Sequence, residues 1–242
     1  MLQSTRGIVL RSIKYGETSL VTNIFTEQFG IQAYLVQGIR TSKSNKSNLL
    51  QPATLLDLIA YQKPEKNLQR LKEFQNAYIY SSLQQEVIKN TIALFSVELL
   101  LRLLPEHAAL PELFEFSFQY FKLLDKLNED EVANFPLFFA VQCGNYLGYR
   151  IKGEFSLKTP HLHLHEGGFS EHTPLVSPFI PDEDARLFDL LLRKNELVSL
   201  REVEMNAQMR FRLLDWYMAF LHQHAQHLGQ IKSLSVLHAI LH

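Results

Sequence analysis

Five apolar, β-branched segments fall within the first eighty residues, and no helical period interrupts them before Ser81. A chain with that opening is confined to a small sheet or barrel at its N-terminal end. The segments span 3–15, 19–26, 31–37, 53–61 and 68–78. In the first, alternation places Ile8, Leu10 and Ser12 on one face and Val9, Arg11 and Ile13 on the other. Gly7 marks a bulge or bend of the kind a small barrel needs in order to curl. Gly16-Glu17-Thr18 reads as a turn. Glu27-Gln28-Phe29-Gly30 is a tight connection whose glycine can take a positive φ. Pro52 leads into the fourth segment, a position where a missing N–H is tolerated. Five strands in about eighty residues match the size of an OB-type barrel, and an SH3-like barrel would give a similar pattern.

From Ser81 the period becomes helical. Residues 83–104 carry Val87, Ile88, Ile92, Phe95, Leu99 and Leu103 at three- and four-residue steps, and Pro105 ends the segment. Residues 111–127 open on Pro111, and a third segment, 137–149, opens after Pro136. Residues 150–181 break the pattern with four prolines, three glycines and four histidines. Asp182-Glu183-Asp184 suits a helix start, with acids at the positive end of the dipole. Residues 206–228 predict a long amphipathic helix, and 233–241 a short last one. The division is therefore a barrel over 1–80 and an all-helical domain over 81–242, with an irregular insertion at about 150–181.

The loop Gly38–Asn48 holds three cations, four hydroxyl residues, two asparagines and no acid. Arg40, Lys43 and Lys46 stand three residues apart. In an extended loop each step spans roughly 10 Å, enough for each cation to meet a separate phosphate. Such contacts carry no base information and are strongly salt-dependent. The net charge of −1 conceals an asymmetry: residues 1–80 hold ten Lys/Arg against five Asp/Glu, and residues 81–242 hold fourteen against twenty. A basic part joined to an acidic one suggests that the basic part meets a polyanion.

The hydrophobic fraction of 46% allows a sizeable core. The single cysteine, Cys143, leaves no partner for an internal disulfide or a multi-cysteine zinc site. No apolar run approaches the ~20 residues that span a bilayer, and the N-terminus lacks a signal-peptide pattern, so the expectation is a soluble, cytoplasmic protein.

An ordered series of motifs resembles the RecO family, and in particular its Bacteroidetes type. The series runs Gly7-Ile8-Val9-Leu10-Arg11, Tyr15-Gly16-Glu17, Phe25-Thr26-Glu27 with Gly30, Gly38 with its basic loop, Leu50-Gln51-Pro52, and Lys232-Ser233-Leu234-Ser235-Val236-Leu237 near the end. The resemblance implies an OB-fold domain followed by a helical domain, and a non-enzymatic mediator of DNA repair and recombination. It implies binding of single- and double-stranded DNA and annealing of complementary strands. It also implies action with RecR and the acidic C-terminal tail of single-stranded-DNA-binding protein (SSB) in loading RecA through the RecF pathway. Many members carry a four-cysteine zinc site in the region corresponding to 150–181. Those cysteines are absent here, so the module reads as a zinc-finger-like loop without its metal, and no cofactor is expected.

Candidate DNA contacts are thus Arg40, Lys43 and Lys46, with Arg6, Arg11, Lys14 and Lys72 as further basic positions on the strands. Among the barrel aromatics Phe25, Phe29, Tyr34, Tyr61 and Phe74, most fit a core, and Phe29 and Tyr34 are the candidates for base stacking. In the helical part, Phe114, Phe116, Phe118, Tyr120 and Phe121 cover most of one helix's circumference. They suggest a groove for the SSB tail beside Arg102, Lys122 or Lys126. No phosphate-binding glycine loop, nucleophile elbow or acidic nuclease cluster is present. Two alternatives remain: a zinc-dependent hydrolase using His161, His163 and His165 on one strand face, and a protein-binding scaffold without DNA activity.

Overall fold

The computed structural model describes residues 1–39, 46–63, 65–175, 180–194, 197–225 and 228–241. The chain forms two compact units, Met1–Lys126 and Leu127–His242.

The first unit begins with β1 (Leu2–Tyr15), β2 (Ser19–Thr26), β3 (Gly30–Val36), β4 (Leu55–Tyr61) and β5 (Leu68–Asn76). They close into a barrel of order β1-β2-β3-β5-β4, with β4 returning to β1 and with β3 and β5 parallel. Closure leaves no free sheet edge. Alternate residues of each strand point inward, and Val9, Leu20, Ile24, Tyr34, Val36, Leu56, Leu58 and Leu71 fill the interior.

Two details of β1 depart from simple alternation. The register slips by one residue between Val9 and Arg11. This bulge, at Leu10 rather than Gly7, reverses the phase of the second half of the strand. Ser12 therefore shares the inner face with Val9, and its hydroxyl meets Thr22 Oγ1 at 2.9 Å. Arg11 turns outward. Gly7 serves a different purpose: a Cβ there would lie 2.5 Å from Ile24 Cγ2 and 2.8 Å from Leu58 Cδ2. Gly30 has φ +66°, and its missing Cβ leaves room for the Ala108 carbonyl. The fourth strand starts at Leu55, later than the sequence suggests, because Ala53 adopts φ +66°.

Two helices complete this unit, α1 (Val87–Leu103) and α2 (Pro111–Lys126). The helical pattern begins at 83, yet α1 starts four residues later. The backbone N–H groups of Ser81, Ser82 and Leu83 donate instead to the Asp125 carboxylate, at 2.8–3.1 Å. Tyr78 and Ser81 hydroxyls donate to the same group. Burial by itself raises the Asp125 pKa, but these donors outweigh it and hold the carboxyl at about 2. Of the α2 aromatics, Phe114, Phe118, Tyr120 and Phe121 are buried and Phe116 is half-buried. Phe114 meets Phe25 of β2 edge-on at 5.4 Å, and the Tyr120 and Ser96 hydroxyls lie 3.1 Å apart.

The second unit contains α3 (Phe135–Tyr146), β6 (His161–His163), β7 (Gly168–Ser170), α4 (Asp182–Leu192), α5 (Ala207–His224) and α6 (Ser233–Ile240). Among the described residues its strands are those of an antiparallel ribbon, β6–β7, inside the region read as irregular. Phe138, Phe139, Phe188, Trp216 and Tyr217 are fully buried at its centre. Cys143 is buried among them, and burial pushes its thiol pKa far up.

Candidate nucleic-acid interface

The cations of the barrel unit divide by what the fold sets beside them. Arg6 lies on β1, with Nε 2.9 Å from Glu27 Oε2 and Nη2 2.7 Å from both Glu27 Oε1 and Glu115 Oε2. Its guanidinium also sits 4.9 Å from the Phe118 ring centroid and 5.4 Å from that of Phe114. The hydrogen bond it donates to Glu27 is the main reason its pKa is raised above the usual arginine value. A charge with two carboxylates and two rings around it pins β1 to α2 and has little left for a phosphate.

Arg11 and Lys14 lie on the outward half of β1, exposed, with Ile13 and Tyr15 exposed beside them. Among the described residues no carboxylate stands within ion-pair distance of either cation. Arg40 and Lys43 lie outside the described residues. The segment that follows them starts at Lys46, a 3-10 turn over Lys46–Leu50. It is anchored where Leu50 enters the core and where the Ser12 hydroxyl donates to the Leu50 carbonyl at 2.6 Å. Lys46 itself is exposed and lines a cavity of about 580 Å³ with Asp57 and Glu73. Lys72 is exposed on β5 and pairs with Glu73 at 3.2 Å.

The structure adds positions that the strand-by-strand reading passed over. Lys63 and Lys66 in the β4–β5 connection stand with Arg70 and Lys72 of β5 around a cavity of about 530 Å³, and Tyr61 forms part of its wall. The sequence signal was available: residues 62–72 hold four cations and one acid, Glu65. It was masked because the run straddles a strand end, so neither element looks basic alone. Tyr34, by contrast, is fully inside the barrel, with its hydroxyl donating to Gln32 Oε1 at 3.1 Å. Burial pushes its phenol pKa far up and removes it as a stacking surface. Phe25 is also fully buried, Phe29 and Phe74 are half-buried, and Tyr61 is the exposed barrel aromatic of the five.

His161, His163 and His165 do not converge on one point. His161 Nδ1 is 2.9 Å from Asp182 Oδ1, His163 meets the His172 carbonyl, and His165 meets Gln223. His161 and His163 share β6, while His165 belongs to the following turn. Among the described residues no group of three His, Cys, Asp or Glu side chains is placed to hold a metal ion. No helix is long and apolar enough to cross a membrane among those residues.

Against known families, residues 1–80 match the one described as Recombination protein O N terminal, and residues 84–235 match Recombination protein O C terminal. The chain belongs to the RecO family. A relative from Phocaeicola vulgatus, named DNA repair protein RecO, is 31% identical over 242 residues, covering 98% of both chains. One of the same name from Bacteroides fragilis is 32% identical over 240 residues, again covering 98% of each. Another, from Christiangramia forsetii, is 28% identical over 243 residues and covers 99% of each. The closed five-stranded barrel and the helical region after it are the architecture of this family's two parts.

Proposed function

We propose that this protein is a non-enzymatic mediator of DNA repair and recombination that binds DNA through residues 1–80 and uses 81–242 as a helical partner-binding domain. The observation that carries the reading is a closed barrel with exposed cations at Arg11, Lys14, Lys63, Lys66 and Arg70 that meet no carboxylate among the described residues, in a chain of the RecO family. Cations on two stretches of one small barrel can neutralise phosphates on two strands together. Lower repulsion between complementary strands then lets their bases meet. The contacts are to backbone phosphate, so binding is sequence-tolerant and falls steeply with salt. The cellular setting that fits is the cytoplasm, with RecR and the SSB tail as partners, and loading of RecA in the RecF pathway as the outcome.

The test is binding and annealing of labelled complementary oligonucleotides, bare and SSB-coated, with and without RecR. Annealing faster than the spontaneous rate is the expected result. Intact wild-type protein that leaves both affinity and annealing unchanged would sink the proposal. Within it, the Arg40→Ala, Lys43→Ala, Lys46→Ala triple variant is expected to lower the salt slope on duplex DNA by about 2–3. An unchanged slope would remove the loop from the interface.

A further inference from the structure

We infer that the β4–β5 end of the barrel is a dock for unpaired bases, with Tyr61 as its stacking surface and Lys63, Lys66, Arg70 and Lys72 as its phosphate contacts. The inference rests on the DNA-binding reading and specifies which form of DNA this end takes.

Tyr61 ends β4 and is paired on one side with Leu2 and on the other with Arg70. Residues paired across antiparallel strands share a face, with Cβ atoms roughly 5 Å apart. Tyr61 is 40% exposed, and Leu2 and Leu68 beside it are 47% and 39% exposed. An exposed ring bordered by apolar side chains presents a face that a base can cover. Arg70 also pairs with Leu35 of the parallel strand β3. A second cavity, of about 440 Å³, continues over Leu35 and shares Lys66, Leu68, Gln69 and Arg70 with the first. The surface thus extends as a track across neighbouring strands.

The connection that carries two of the cations is held in place from beneath. Gln69 is 4% exposed; its Oε1 accepts from the Lys63 N–H at 2.9 Å, and its Nε2 donates to the Lys63 and Lys66 carbonyls at 2.8 and 2.5 Å. Gln62 Nε2 donates to Gln32 Oε1 at 2.7 Å, and the Gln62 N–H donates to the Met1 carbonyl at 2.8 Å. With the backbone fixed this way, less ordering is needed when a strand binds. Glu65 is the acid within the connection, and Glu73 offsets Lys72, so the track keeps an excess of positive charge.

Charge alone would serve duplex and single strand alike. The ring decides between them: in a duplex the base faces are covered by their neighbours, and only an unpaired base can lie on Tyr61. This end is also separate from the cations at the far end of β1. Leu2 and Arg11 are nine residues apart on that strand, on the order of 30 Å along it. One barrel therefore offers two separate basic surfaces, one beside Tyr61 and one beside Tyr15, which is 55% exposed.

The experiment compares wild type with Tyr61→Leu on three labelled probes: oligo-dT of about 15 nucleotides, an abasic strand of the same length, and a duplex of the same length. Tyr61→Leu is expected to weaken oligo-dT binding about tenfold, with less than about twofold change on the other two probes; Tyr61→Phe is expected to restore oligo-dT binding. Equal affinity of Tyr61→Leu and wild type for oligo-dT would overturn the dock. So would an equal loss on the abasic strand, which would make Tyr61 a structural residue. Failure of wild type on all three probes would instead overturn the DNA-binding reading and the dock with it. The Lys63→Ala, Lys66→Ala, Arg70→Ala, Lys72→Ala variant is expected to lower the salt slope on both single strands by about 2–3; no change there would overturn the phosphate contacts.

Discussion

The two units treat their cations differently. In the helical unit, Arg212 reaches the buried Asp184 carboxylate at 2.7 Å. Arg193 pairs with both Asp189 and Glu154, which together raise its pKa, and Lys194 pairs with Glu202. In the barrel unit, among the described residues, ion pairs hold Arg6, Lys72 beside Glu73 and, near the helices, Lys89, which is 3% exposed and lies 2.9 Å from Glu86. Arg11, Lys14, Lys63, Lys66 and Arg70 meet no carboxylate among the described residues. The same residue types therefore act as internal ties where an acid is near and as an outward field where none is; among the described residues the helical unit also has exposed cations without a paired acid, at Lys152, Lys158 and Arg186. Composition does not distinguish these roles; the position of the nearest acid does.

The strongest test of internal ties is Asp125→Ala. It would leave the N–H groups of Ser81, Ser82 and Leu83 without their acceptor. A loss of about 3 kcal/mol in urea unfolding is expected. The same group sets a pH dependence. Its folded pKa, about 2, lies below the ordinary carboxylate value. The stabilisation is therefore complete above the unfolded pKa of about 4 and is lost as pH falls through about 2. Asp125→Asn should remove this acid limb; an identical limb in the variant would show that other carboxylates control it.

Next in size is Arg212→Ala, which uncovers a buried carboxylate in the helical unit. About 2 kcal/mol of destabilisation is expected, less than for a fully buried pair because Arg212 is 42% exposed. DNA affinity of the folded variant should be unchanged. Arg6→Ala follows, at about 1–2 kcal/mol, through loss of its two ion pairs and its ring contacts. Its salt slope on DNA should stay at the wild-type value. A lower slope would place Arg6 among the phosphate contacts and blur the contrast with Arg11.

The smallest effect on stability is expected for Arg11→Ala with Lys14→Ala, within about 0.5 kcal/mol of wild type. The salt slope on duplex DNA should nevertheless fall by about 2, near 0.9 for each lost cation. Normal slope with reduced stability would reverse the assignment of the two classes.

Much of the fold was legible in the sequence. Strand and helix periods express which side of a local backbone meets apolar neighbours, and they located the five strands and the helices to within a few residues. The ribbon His161–His163 with Gly168–Ser170 was too short for a period to emerge. The site was less legible. Arg6 and Arg11 look equivalent in the sequence, five residues apart on one strand. The bulge at Leu10 and the distant acids Glu27 and Glu115 give them opposite surroundings. Tyr34 and Tyr61 likewise look equivalent, but one faces into the closed barrel and the other away from it.

The sequence by itself determined a strand-rich beginning, a helical continuation and an uneven distribution of charge, because each depends on residue type and local spacing. The tertiary structure decided which cations are neutralised, which ring is exposed and where α1 begins. These outcomes depend on partners 21 to 109 residues away, as with Arg6 and its two carboxylates, and no local pattern encodes such a distance.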